Sequence, residues 1–285
     1  MRIAVTGAGG LLAHALLPAL ARAGHTVLAL EKRDADVTRL EALETALGPF
    51  RPEWVIHLAA FTRVDECESR ADHAFEVNAG GARNAALAAL GCGAGLLAIS
   101  SDYVFDGTAS RPYREYDPTG PRSVYGASKW AGEQAVREVL PRHVIVRSAW
   151  LYGPGGANFV DTILTKGRAG EALRVVDDQR GSPTLTHDLA AGLLGLIGSG
   201  QLGTFHCTNA GSCSWYDLAA HALRCAGLTV ALERTDTASF PRPAQRPRYS
   251  VLDTQAFERA TGAPLPPWQD AVERYVGAGA ATPRH

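Results

Sequence analysis

The stretch SVYGASKWAGE (123–133) sets Tyr125 four residues before Lys129, in a chain with three lysines and eight tyrosines. On a helix, positions i and i+4 share a face, so the ammonium projects beside the phenol. A free phenol titrates near ~10, too high for acid–base work at neutral pH. A neighbouring positive charge stabilises the phenolate and lowers that value. The spacing predicts a proton donor tuned by Lys129, whose ammonium is also placed to hold the ribose hydroxyls of a nicotinamide. Upstream, AISSDYVFDG delivers Ser100, Ser101 and Asp102 to the end of an apolar run, where a serine hydroxyl can hold a substrate carbonyl against the tyrosine. The bland alternative is a surface helix on which Tyr125 and Lys129 merely pack.

A second constellation lies at the start. TGAGGLLAHAL follows the first apolar run and places Gly7, Gly10 and Ala13 in a G-x-x-G-x-x-A pattern. Small residues there let the backbone turn tightly against a pyrophosphate, and a helix N-terminus offers N–H groups and a favourable dipole. A plain strand-to-helix turn would look similar. After the second run comes LEKRDADV. Glu31 is placed to accept from an adenosine ribose, which favours NAD, while Lys32 and Arg33 suit the 2′-phosphate of NADP. The cofactor is expected to be NADPH or NADH, with a lean to NADPH. Asp36 and Val37 are candidates for the adenine end, although Asp36 reads equally well as a helix N-cap.

Both constellations need a scaffold that brings strand ends together. β-Rich runs at 3–7, 26–30, 54–59, 96–100, 143–148 and 204–208 alternate with plausible helices near 10–23, 37–47, 72–90, 123–140, 187–198 and 214–226. This rhythm predicts an α/β fold: a Rossmann-type doubly wound parallel sheet, buried on both faces. After Ser148 the rhythm breaks into glycine- and proline-rich segments, which predicts a second, smaller lobe. The expected division is 1–149 plus 187–227 for the dinucleotide-binding domain, 150–186 plus 228–276 for the substrate lobe, and 277–285 as a frayed tail.

Composition excludes several classes. A net charge of -1 with scattered arginines offers no nucleic-acid surface, and no apolar run approaches the ~18 residues of a membrane span. A soluble cytoplasmic protein is expected, with no nucleic-acid or membrane partner. The five cysteines, Cys67, Cys92, Cys207, Cys213 and Cys225, lack C-x-x-C spacing and read as reduced packing residues. No metal site is predicted.

Together, Tyr125-x-x-x-Lys129, Ser101 and the glycine turn resemble the extended short-chain dehydrogenase/reductase superfamily. LAAFTRVDECES, SSDYVFDGTASRPYREYDPTGPRSVYGASKWAGE, VRSAWLYGPGGANFV, RVVDDQRGSPT and RPRYSVLDT narrow the likeness to dTDP-4-dehydrorhamnose reductases. The resemblance implies NAD(P)H-dependent reduction of the 4-keto group of a dTDP-6-deoxy-hexulose, with Ser101, Tyr125 and Lys129 at the reaction centre. It implies that Gly10, Leu11 and Leu12 lie along the pyrophosphate, that Asp36 and Val37 meet the adenosine, and that Ala60, Phe61 and Thr62 line the cofactor. Asn78 would help fix this region, and Asp102 and Trp150 would contact the sugar nucleotide. Trp150 also reads as an anchoring aromatic between lobes. Arg246 and Arg248 either reach the diphosphate or lie on a solvated loop, and Asp177, Asp178 and Gln179 either cover the cleft or form an exposed turn. Some relatives hold magnesium between subunits of a homodimer through glutamates, and Ala15 stands at the first such position.

Two alternatives stand beside this reading. A sugar-nucleotide dehydratase or epimerase shares the scaffold, but dehydratases carry a glutamate base where this chain has Tyr103. A non-catalytic regulatory subunit, like the β subunit of methionine adenosyltransferase, can keep the pocket and change its job.

Overall fold

The computed structural model describes residues 1–279 of the 285. Six parallel strands form the main sheet in the order Gly203–His206, His143–Ser148, Gly95–Ser101, Trp54–His57, Arg2–Thr6, Thr26–Leu30. Ile3, Val5, Ile56, Leu97, Val144 and Val146 are almost fully buried because helices cover both faces, as the unbroken apolar runs require. Helices Leu11–Arg22 and Thr186–Ser199 cover one face through Leu12, Leu16, Leu20, Leu189, Leu193 and Leu196. Helices Leu40–Phe50, Gly81–Gly91 and Val124–Val139 cover the other through Leu43, Leu47, Ala85, Ala89 and Val136. The connection direction reverses between strands Arg2–Thr6 and Trp54–His57. Open α/β sheets bind ligands beyond the strands' carboxyl ends at such a reversal.

Two helices differ from expectation. The run expected as one helix over 72–90 is split into Ala71–Phe75, a π-helical turn Glu76–Gly80 and Gly81–Gly91. The wider turn carries Asn78 inward, where it is 2% exposed, and such turns gather at functional sites. The helix expected from Val37 starts at Leu40 instead. Asp36 accepts from Thr38 N (3.0 Å) and Thr38 Oγ1 (2.9 Å), a closed Asx turn that keeps 36–39 out of the helix. Asp36 is therefore no N-cap.

The strand Leu173–Val176 pairs in parallel with Leu232–Thr235, apart from the main sheet. Nearby, Val160 and Leu164 of helix Phe159–Arg168 share a core with Leu218 and Ala222 of helix Trp215–Cys225 and Val272 of helix Trp268–Gly277. The expected boundary at 227 would have left Trp215–Cys225 with the sheet. Conversely Phe257, on helix Gln255–Thr261, packs with Leu189 and Phe205 in the sheet's own core. An amphipathic helix encodes that it has a buried face, not which lobe supplies the partner. The expected tail starts at the last residue of helix Trp268–Gly277, and its part beyond 279 lies outside the described residues. All five cysteines are free, and Cys67, Cys207 and Cys213 are buried.

Candidate active site

Ser101 ends strand Gly95–Ser101, and a 3₁₀ turn, Asp102–Val104, follows. Tyr125 and Lys129 sit on helix Val124–Val139, whose first amides are held by Ser123 Oγ (from Gly126 N, 3.2 Å) and Glu68 Oε1 (from Val124 N, 2.9 Å). The helix lies unusually close to its neighbours. A Cβ at Gly126 would stand 2.2 Å from the Tyr103 carbonyl oxygen, and one at Gly132 would stand 2.4 Å from that of Asn78. That approach sets the Tyr125 ring edge-on to Tyr103, centroids 5.5 Å apart. Ser101 Oγ donates to Asp102 Oδ1 (2.9 Å) and accepts from Tyr103 N (3.2 Å). The other Asp102 oxygen and the Ser250 hydroxyl are buried without hydrogen-bond partners among the described residues. Burial pushes the Asp102 carboxyl up to about 6.

The tuning expected from the Tyr-Lys spacing is corrected here. Burial holds the Tyr125 phenol well above its ordinary range, the Ser101 hydroxyl offsets part of this, and the charges of Asp102 and Cys67 push it further up. Lys129 does not relieve it. Its ammonium donates instead to Ile99 O (2.6 Å), and burial brings it down to about 8, partly opposed by Glu133. Sharing a helix face aligns the Cβ atoms, whereas a long flexible stem sends the lysine nitrogen to the nearest strong acceptor. Tyr125 is thus a protonated phenol, an acid rather than a ready base.

Behind Lys129 the charges are locked. Arg147, 1% exposed, donates to both Glu133 oxygens (2.8 and 2.7 Å), and Ser100 Oγ donates to Glu133 as well (2.5 Å). His57 pairs through Nδ1 with Thr6 Oγ1 (2.8 Å), and burial with the nearby Lys129 charge lowers it to about 3.

At the sheet reversal a cleft of 320 Å³ is lined by Gly7, Gly10, Glu31, Lys32, Asp36, Val37 and Ala60 among others. Gly7 has φ +72°, and a Cβ there would lie 2.6 Å from Ala59 N, so only glycine allows this turn. Helix Leu11–Arg22 starts behind it with Gly10 as an N-cap that has no side-chain bond, leaving its first amides to a ligand. Leu11 is half-buried, and the Leu12 side chain packs in the core, so its amide alone faces this turn. Arg33 pairs with Glu31 (3.5 Å) and Lys32 with Asp36 (3.6 Å), so the acidic and basic cues neutralise one another. Phe61 stacks edge-on to His73 (5.1 Å), and Thr62 is exposed. Asn78 clamps the loop rather than lining the cleft: its side chain accepts from Phe61 N (2.8 Å) and donates to Phe61 O (3.1 Å) and Ser128 Oγ (2.9 Å). The donor set and the glycine turn fit an NAD(P) dinucleotide.

The larger cleft, 1160 Å³, includes Tyr103, Phe159, Gln179, Trp215, Arg246 and Arg248 in its wall and reaches the reaction centre through Tyr103. Trp150 is not part of that wall. Its ring stacks on Trp215 (3.6 Å, 6°), its backbone takes φ 48°, and a Cβ on Gly181 would approach its indole to 2.5 Å. It anchors Trp215, which faces the cleft and donates from Nε1 to Gln179 (3.1 Å). Sequence reasoning passed over Trp215, although its place directly after the N-cap Ser214 at a lobe junction was a usable signal. Asp177 and Asp178 are pinned rather than free: Asp177 accepts from Ser214 Oγ (2.5 Å), and Asp178 accepts from Thr237 N (3.0 Å) and Oγ1 (2.7 Å).

Ala15 is buried in the helix–helix core, so that position offers no ligand. One set of metal-capable side chains, His221, Cys225 and Glu273, lies within 4.8 Å on the small lobe. His221 Nδ1 faces the Arg224 guanidinium (3.3 Å) and Nε2 faces Gln269 O (3.2 Å), so both ring nitrogens have protein partners. No helix among the described residues is long and apolar enough to cross a membrane.

Residues 1–280 match the model of the RmlD substrate binding domain family. The chain is 46% identical over 275 residues to a dTDP-4-dehydrorhamnose reductase of Streptomyces griseus, covering 94% of this chain and 90% of that one. It belongs to this family. Its fold is similar to the dTDP-4-dehydrorhamnose reductase of Clostridium acetobutylicum, with TM-score 0.94, 41% identity, and 98% and 99% of the two chains covered. The dTDP-4-dehydrorhamnose reductase of Bacillus anthracis in complex with NADP also gives TM-score 0.94, at 38% identity over 97% and 99% of the chains.

Proposed function

We propose that this family member reduces the 4-keto group of a dTDP-6-deoxy-hexulose, with dTDP-4-dehydro-L-rhamnose as the favoured substrate. The observation that carries the reading is a half-buried Tyr125, its phenol held protonated by burial and its ring edge-on to Tyr103 in the wall of the large cleft, with the glycine turn of the smaller cleft at the same end of the sheet. A bound reduced nicotinamide dinucleotide, NADPH or NADH, supplies the hydride. Ser101 orients the carbonyl, and Tyr125 gives its proton to the oxygen as negative charge develops there. A phenol held protonated by burial suits that direction of proton transfer. Lys129, one turn on, holds the ribose hydroxyls and supplies positive charge once the phenol has given up its proton. The sheet with its flanking helices takes the dinucleotide, and the lobe built from helices Phe159–Arg168, Trp215–Cys225 and Trp268–Gly277 takes the nucleotide sugar. A dehydratase is disfavoured because Tyr103 occupies the position of its base, and burial holds that phenol protonated.

The test is Tyr125→Phe assayed with the 4-keto sugar nucleotide and NADPH. Turnover should fall by at least ~100-fold, the scale of a lost general acid. Near-wild-type turnover refutes the acid role.

A further inference from the structure

The proline-rich run 241–248 crosses from the small lobe to the sheet domain and is anchored on a carboxylate that no part of the chemistry above uses. Asp65, in the short helix Val64–Ser69, accepts from Ala244 N (3.3 Å) and from Arg246 Nη2 (3.0 Å). The pair is partly shielded, with side chains 31% and 19% exposed. Ala244 between its anchors is only 2% exposed. The helix that carries Asp65 is itself tied down on two sides. Glu68 accepts from Val124 N (2.9 Å), the amide immediately before Tyr125, and Cys67 Sγ lies 3.8 Å from Phe61 O in the cofactor loop. Asp65 therefore holds a set position relative to the reaction centre, and whatever it grips inherits that position. Asp65, Arg246 and Tyr103 all face the large cleft.

We propose that Asp65 is a positioning residue for nucleotide-sugar binding: it holds Ala244 and Arg246 so that the proline-rich strap forms a cleft wall and the Arg246 guanidinium faces the substrate diphosphate. A guanidinium has five N–H donors. Arg246 directs Nη2 to Asp65 and Nη1 to Ala244 O (3.3 Å), which leaves donors on its cleft side for phosphate oxygens. Prolines 241, 243 and 247 restrict the backbone, so the strap follows its anchor as a unit. The inference rests on the reading of the large cleft as a nucleotide-sugar site.

The experiment titrates dTDP into cofactor-loaded protein and pairs it with steady-state kinetics. Asp65→Asn keeps an acceptor for Ala244 and removes the charge from Arg246. It should weaken dTDP binding and raise KM for the nucleotide sugar by about ten-fold, the scale of one partly exposed charged hydrogen bond. The kcat and the NADPH affinity should change by less than about two-fold. Arg246→Gln, on the strap itself, should weaken dTDP similarly, and adding Asp65→Asn to it should cost no more than about two-fold, because one residue acts through the other. Wild-type dTDP affinity in Asp65→Asn overturns the proposal, as does full additivity in the double variant. A parallel fall in kcat and NADPH affinity overturns it too, since that reports damage to the catalytic helix. Wild-type protein that binds no dTDP overturns the reading of the cleft and this inference with it, a result distinct from the others.

Discussion

Gly126→Ala isolates how closely the catalytic helix must approach the sheet. The added Cβ would stand 2.2 Å from the Tyr103 carbonyl oxygen and 3.0 Å from Pro121 Cβ. A carbon–oxygen contact settles near ~3.3 Å, so helix and strand end must part by about 1 Å. Overpacking of this kind costs about 1–3 kcal/mol, and alanine returns about 1 kcal/mol of helix propensity. The net loss is about 0–2 kcal/mol, or a Tm drop of at most about 8 °C. Tyr125 is the adjoining residue, and a misplacement of ~1 Å at a reacting group can cost ~100-fold. The expected result is a kcat/KM about 100-fold down in a protein that still melts cooperatively, within about 8 °C of the parent. Gly48→Ala, in helix Leu40–Phe50 with nothing within 4 Å, is the control and should leave activity unchanged. If Gly126→Ala kept kcat/KM within about three-fold of the parent, the argument that this contact sets the position of Tyr125 would be wrong.

Lys129 and the buried histidines give two pH predictions of opposite sign. Because burial brings Lys129 down to about 8, its ammonium is lost above that value, and cofactor affinity measured by fluorescence titration should fall as pH rises from 7 to 9. An affinity flat across that range would remove Lys129 from the cofactor's partners. His57 and His206 are both lowered to about 3, chiefly by burial, and so stay neutral in the folded chain. The unfolded chain takes up those protons below about 6.5, so stability should fall as pH drops through the window from 6.5 to 3. Each histidine contributes a slope of about 1.4 kcal/mol per pH unit there. Denaturant melts at pH 7 and 5 should differ accordingly, and His206→Gln should lessen the difference; equal stabilities would contradict the neutral, buried assignment.

Local chemistry made part of this protein readable from residue order alone. Strands alternating with helices, a glycine-only turn after the first strand, a serine at a strand end and a Tyr-Lys pair at helical spacing all depend on neighbours a few positions away. The six strands, Ser101 at a strand end and Tyr125 with Lys129 on one helix follow from them. Features that depend on distant partners needed the tertiary structure. The fate of the Tyr125 proton was misread because burial outweighs a nearby ammonium that has turned to Ile99 O. Trp150 carries the more conspicuous motif, yet Trp215 faces the cleft, because stacking decides which face of each indole remains open. Helix Trp215–Cys225 packs with Phe159–Arg168 and Trp268–Gly277, and Phe257 of helix Gln255–Thr261 packs with Leu189 and Phe205, since apolar stripes fit either core. Periodicity and turn residues are written into short stretches of chain, whereas proton affinity, ring orientation and lobe membership are set by groups that meet only on folding.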